Sequence, residues 1–267
     1  MFSILGLGFL LVAGVFAGAV FMALRGSAQL DLARVIGDAG AAIAKAPVQF
    51  CGLAVVGAGL PLGSMLLLVD AVPAVTLDAA TGIGANLLAM LAFLAWYQFF
   101  LLSMVATTLA AFDERARLGV VVAAALPVVP KALLVSLLYW LAVGIGFSFF
   151  IVPGVILACV WMLVLPVLVE ERPTLFAAFG RAARLSRGAR WQLFLLAVLG
   201  FVFGVVAQVM LGALAALLGG GVAAQIAFAL ASSLLGMVPP ALVASAYRQI
   251  VTVREGPRRH ELEKIFA

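Results

Sequence analysis

FFIVPGVILACVWMLVLPVLVEERPTLFAAFGRAARLSRGARWQLF, residues 149–194, is the stretch whose reading decides the fold. It divides into four parts. A Pro-Gly pair at Pro153 and Gly154 is expected to break the chain, and an apolar run follows to Val169. Glu170 and Glu171 end that run, because carboxylates are costly in hydrocarbon, and Pro173 suits the first turn of a new helix, where its missing N–H matters least. The chain must therefore turn and run along a membrane surface before a second apolar span begins at Trp191.

Helical geometry gives that surface segment two faces. With Leu175 as origin, Phe176, Phe179, Ala182, Ala183 and Leu185 fall within about 100° on either side, and Arg181, Arg184 and Arg187 fall near about 240°, 180° and 120°. An interfacial helix has this pattern: an apolar face in the acyl boundary and arginines among the headgroups. Gly188 is expected to end the helix, and Trp191 stands where aromatic anchors mark the interface.

The same residues resemble a bacterial integral-membrane family that includes YciC-type inner-membrane proteins and the membrane domain attached to some glycerophosphoryl diester phosphodiesterases. The resemblance rests on Pro153 and Gly154, Trp161, Pro166 and Val167, Glu170, Ala178, Arg181, Arg184, Leu185, Arg187, Gly188 and Trp191, with Ala246-Tyr247-Arg248 similar to the family's closing motif. Gly180, Ala182 and Ala183 depart from the family pattern. The resemblance covers residues 28–250 and implies an architecture more than an activity, since the phosphodiesterase catalytic domain of those relatives has no counterpart here.

Composition points the same way. With 66% apolar and 10% charged residues and a mean hydropathy of +1.28, helices of this chain are apolar all round and suit lipid, not water. The 267 residues accommodate about seven spans of roughly twenty residues each. The expected fold is an all-α polytopic membrane protein with spans near residues 2–24, 48–69, 84–111, 132–150, 153–169, 191–218 and 222–247. Residues 1–250 form one transmembrane domain, and 251–267 form a short polar tail.

Charge placement gives the orientation. All sixteen Lys and Arg residues lie in the first, third or fifth connection, at their edges, or in the tail, whereas Asp70 and Asp78 are the only charges in the connections between. The positive-inside rule then puts the N-terminus outside and the C-terminus in the cytoplasm of a bacterial inner membrane. Residues 1–24 read as a retained first span, because a basic n-region is missing and Arg25 follows the apolar run; a cleaved signal peptide is the competing reading.

The three basic connections look alike. Each runs as an amphipathic surface helix into an apolar hairpin: Leu30 to Pro47, Asp113 to Pro130 and Pro173 to Arg190. This gives a threefold repeat with units 28–111, 112–169 and 173–247, unless these are only the amphipathic loops that any polytopic chain carries. Pro61, Pro166, Pro239 and Pro240 are expected to kink or break spans.

Residues able to do chemistry are scarce. His260, the single histidine, lies in the tail, so no histidine triad or zincin motif exists in the spans. Cys51 and Cys159 lack metal-ligand or redox spacing and read as packing residues. Adjacent Glu170 and Glu171 point about 100° apart on a helix and suit pairing with Arg172 or the later arginines better than shared catalysis. Polar groups within the spans are few, and among them Gln98, Gln208 and Gln225 are fit for interhelical bonds or for lining a path. No cofactor and no metal are implied.

The function these residues favour is non-enzymatic. An inner-membrane protein would bind anionic phospholipid or a protein partner through Arg181, Arg184, Arg187, Arg190 and Trp191, as a homo-oligomer or within a larger membrane complex, in lipid handling, envelope maintenance or complex assembly. The alternatives are a channel or transporter with a path between kinked helices, and a membrane subunit of a phospholipid-metabolising enzyme.

Overall fold

A computed structural model describes residues 30–62, 79–113, 117–149, 151–219 and 221–256, in which the chain is helix and turn throughout. The expected first span, the connection at Asp70 to Asp78 and the tail with His260 lie outside the described residues. The described residues form the α-helices α1 Leu32–Lys45, α2 Pro47–Ala54, α3 Ala79–Phe112, α4 Leu118–Ala125, α5 Val129–Phe149, α6 Ile151–Trp161, α7 Val164–Glu171, α8 Leu175–Ser186, α9 Arg190–Leu217, α10 Val222–Leu235 and α11 Val238–Glu255. Five stretches are long and apolar enough to cross a membrane: Leu91–Phe112, Leu118–Phe149, Val152–Glu171, Arg190–Leu217 and Val222–Glu255. A sixth is formed if α1 and the helix Pro47–Leu62, bent by 90° at Ala46, count as one broken span. The described residues therefore support five or six of the seven expected spans.

Prolines place the breaks. Pro166 cannot donate to the carbonyl four residues back, at Met162, and the helix is interrupted at Met162 and Leu163 before α7 begins. Pro239 and Pro240 likewise follow the turn at Gly236 and Met237 that separates α10 from α11. Pro61 follows a π turn at Val55–Gly59 that continues α2. The Gly57 carbonyl, which Pro61 cannot satisfy in the α-helical manner, accepts a hydrogen bond from Trp96 Nε1 of α3 at 2.9 Å.

At Pro153 and Gly154 the expected break is absent. Both residues lie inside α6, Pro153 in its first turn, with α5 ending at Phe149 and α6 beginning at Ile151. Gly154 serves close approach: a Cβ there would stand 2.6 Å from Cγ of Phe147, and one on Gly146 would stand 2.9 Å from Gly154 Cα. The α5–α6 hairpin needs glycine at both points.

The surface helices differ from one another. α1 buries Val35, Ala39 and Ala42 and packs on α11 and α3, while α8 buries Ala178, Ala182 and Leu185 and packs on α6 and α7. The second connection has no such polar-backed helix. α4 exposes Leu118 and Val120 and buries Val121 and Ala125, so it is apolar around its circumference and runs on through a 3₁₀ turn at Leu126–Val128 into α5. With valine and alanine on every side, no face of α4 prefers water.

α3 and α11 hold the centre. Leu102, Val105 and Leu109 of α3 share one core with Leu163, Val167 and Leu168 near α7, and with Tyr247 and Ile250 of α11. Thr107 and Thr108 enter this core because each hydroxyl donates to a carbonyl one turn back, Ser103 O at 2.7 Å and Met104 O at 2.9 Å.

Candidate functional site at the charged end of the bundle

The last turns of α11 gather four other segments by side chain. Tyr247, nearly fully buried, donates from its hydroxyl to Glu171 Oε1 at the end of α7 at 3.0 Å. Arg248, one residue and so about 100° further round, pairs with Asp113 Oδ1 at 3.2 Å and lies over the Phe112 ring at 4.5 Å, at the end of α3. Gln249 Oε1 accepts the Asp31 N–H at 3.2 Å at the start of α1, and Arg254 donates to the Arg184 carbonyl at 2.7 Å and to the Arg187 carbonyl at the end of α8. The ends of α3, α7, α8 and α11 and the starts of α1 and α9 therefore meet at one end of the molecule. Ala246-Tyr247-Arg248 acquires a physical role in this arrangement: a buried alanine lets α11 sit close, and its two neighbours reach different helices.

α8 is positioned by its small residues. Thr174 is its N-cap, so Pro173 lies two residues before the first helical residue, not in the first turn as the sequence predicts. Ala178 and Ala182 are fully buried, so the helix lies directly on its neighbours, and Phe179 packs edge-on against Trp161 with ring centroids 4.9 Å apart. This face is therefore set against protein. Phe176 alone of the two phenylalanines points outward, 77% exposed. The helix stops at Ser186, two residues before Gly188, whose φ of +83° reverses the chain into α9.

The arginines of this segment divide into two groups. Arg181 Nε donates to both oxygens of Glu171, at 3.0 and 2.9 Å, and its Nη2 donates to Glu255 Oε1 at 2.5 Å. The Glu171 hydrogen bond, with Glu255 adding to it, holds the Arg181 guanidinium above its already high ordinary pKa, so the group stays cationic across all physiological pH. Arg181, expected to meet lipid or a partner, instead fastens α8 to α7 and α11. Arg184, Arg187 and Arg190 are exposed, and none of the three guanidinium groups enters an ion pair among the described residues. Trp191 stands beside them, 44% exposed, edge-on to Phe194 at 6.3 Å.

The glutamines lie apart from this site. Gln208 Oε1 accepts a hydrogen bond from Ser232 Oγ at 3.2 Å, joining α9 to α10, and Gln225 is half-buried on α10. Gln98 is buried in α3, and its carbonyl oxygen meets no donor among the described residues. Cys51 is exposed and Cys159 buried, both as free thiols, and no cluster of metal-ligating side chains occurs among the described residues.

Glu255, Arg254 and Asp113 were not legible as site residues. Their partners lie 74, 70 and 135 positions away, whereas the sequence does point to Tyr247 and Arg248 through the closing motif and to the Glu171–Arg181 pair through the expected match of the glutamates with the later arginines. No family model, curated protein or solved structure matches the chain.

Proposed function

We propose that this chain is a non-enzymatic protein of a bacterial inner membrane, with seven spans, an outer N-terminus and a cytoplasmic C-terminus, that binds anionic phospholipid at its charged end. One observation carries the reading: Arg184, Arg187 and Arg190 are exposed together with Trp191 at the foot of an apolar span, without ion pairs among the described residues. Three such cations near an anionic leaflet contribute about 1 kcal/mol each, before ordering costs. Arginine suits phosphate because its planar fork donates two hydrogen bonds to one group. The threefold plan of collar helix plus hairpin belongs to this proposal, with α4 as the member that has lost its polar face. The resemblance to YciC-type membrane proteins supports the same architecture.

The transport reading receives less support. Broken helices meet near Met162 and Pro239, but the groove between them is lined by apolar side chains, which suits an acyl chain better than water or an ion.

The test is to replace Arg184, Arg187 and Arg190 together with Gln and measure anionic lipid co-purified with the full chain. Orientation is checked separately by placing single cysteines at Thr76 and Leu262 in a Cys-free background. An impermeant thiol reagent should label only the former in intact cells. Unchanged lipid retention in the triple variant, with unchanged orientation, would leave these arginines as topological markers only.

A further inference from the structure

Beside α9 an apolar groove of about 210 Å³ is lined by Met162, Leu196, Gly200, Phe201, Pro239 and Leu242, among others. It exists because two helix breaks coincide: Met162 stands at the interruption before α7, and Pro239 at the start of α11. Gly200 deepens it, since a Cβ there would meet nothing within 4 Å. Phe201, 71% exposed, forms a projecting edge, and Leu196 forms the buried floor.

The groove is in register with a cation. Residues 190, 194, 197 and 201 follow one another at intervals of four, three and four, so Arg190, Phe194, Ala197 and Phe201 share one stripe of α9. From Arg190 to Phe201 the helix rises about 16 Å, close to the half-thickness of about 15 Å for a hydrocarbon core. A guanidinium at headgroup depth therefore stands directly over an apolar slot that reaches toward the bilayer centre within one leaflet.

We infer that this groove holds one acyl chain of an anionic phospholipid whose phosphate pairs with Arg190 beside Trp191. The inference rests on the reading of the charged end as an anionic-lipid contact, and it turns a diffuse attraction into a discrete site with one chain in the slot. Arg184 and Arg187 lie on the other side of the turn at Gly188 and contribute to the surface field.

The experiment is native mass spectrometry of the full chain in detergent, titrated with phosphatidylglycerol or with phosphatidylcholine of the same chains. Gly200→Phe fills the slot and should lower the first phosphatidylglycerol adduct by about tenfold or more, since several methylenes lose their contacts. Ala197→Phe, at an exposed lining position, should act in the same direction and serves if Gly200→Phe does not fold. Arg190→Gln should cut the preference for phosphatidylglycerol by about fivefold, the effect of one basic residue at an anionic surface, and leave the phosphatidylcholine adduct in place. Undiminished phosphatidylglycerol binding in both filled variants overturns the site. If Arg184→Gln with Arg187→Gln then lowers binding, the surface reading survives without the groove. A dimer in the unaltered protein that Gly200→Phe dissolves without loss of lipid also overturns the site, in favour of a second copy.

Discussion

α1 and α8 solve the same problem with the same spacing and different chemistry. Each lies at the charged end, and each buries a stripe at i, i+4 and i+7: Val35, Ala39 and Ala42 in one, Ala178, Ala182 and Leu185 in the other. Two of the three buried positions are alanine in both, so each helix backbone comes close to its support. α1 is capped by its own Asp31, whose carboxylate accepts from the N–H groups of Ala33 and Arg34. α8 has no side-chain cap at Thr174 and is held from outside, by Arg181 at its middle and Arg254 at its end. The first turn of α1 is closed by its own side chain, with Gln249 of α11 added at the Asp31 N–H, whereas a helix fixed by distant carboxylates has its own cation committed to structure. This is why α8 presents fewer arginines to its surroundings than its sequence offers.

The largest expected effect tests the shared stripe. Ala39→Leu and Ala182→Leu, both at buried sites, should each destabilise the protein by about 1–3 kcal/mol through overpacking, read as a lowered unfolding temperature in detergent at a fixed scan rate. A neutral outcome for one and not the other would break the parallel.

The caps come next. Asp31→Ala should cost about 1 kcal/mol, the usual loss of an engaged N-cap, while Thr174→Ala, with no cap hydrogen bond to lose, should cost no more than about 0.5 kcal/mol. Equal costs would mean that the contrast between self-capped and externally held helices has no energetic content.

Arg181 should separate from its neighbours by a similar margin. Arg181→Gln is expected to lose about 1 kcal/mol, kept small because its side chain and both carboxylates are partly exposed, and Arg184→Gln or Arg187→Gln should stay within about 0.5 kcal/mol. The same variants should rank in the opposite order for anionic lipid retained on purification. Loss of lipid in Arg181→Gln alone, in a stable protein, would return that residue to the contact surface.

The smallest effect concerns the polar pair far from this end. Gln208→Leu removes the bond to Ser232 between α9 and α10, and should cost about 0.6 kcal/mol, the average for such pairs in a membrane, without altering lipid retention.

By itself the sequence determined the class, most of the spans and the punctuation between them. These depend on local properties: the cost of a charge or an unpaired amide in hydrocarbon, the missing N–H of proline at Pro166 and Pro239, and the freedom of Gly188 to take a positive φ. The tertiary structure decided what the charges do. Helical periodicity shows that Arg181 and Arg184 point in different directions but not what lies there, and Glu255 reaches Arg181, and Tyr247 its partner Glu171, only because α11 folds back against α7 and α8. Likewise, no local rule tells a Pro-Gly break from a Pro-Gly contact. Gly154 is a contact because Phe147 of the preceding helix already occupies the space a side chain would need.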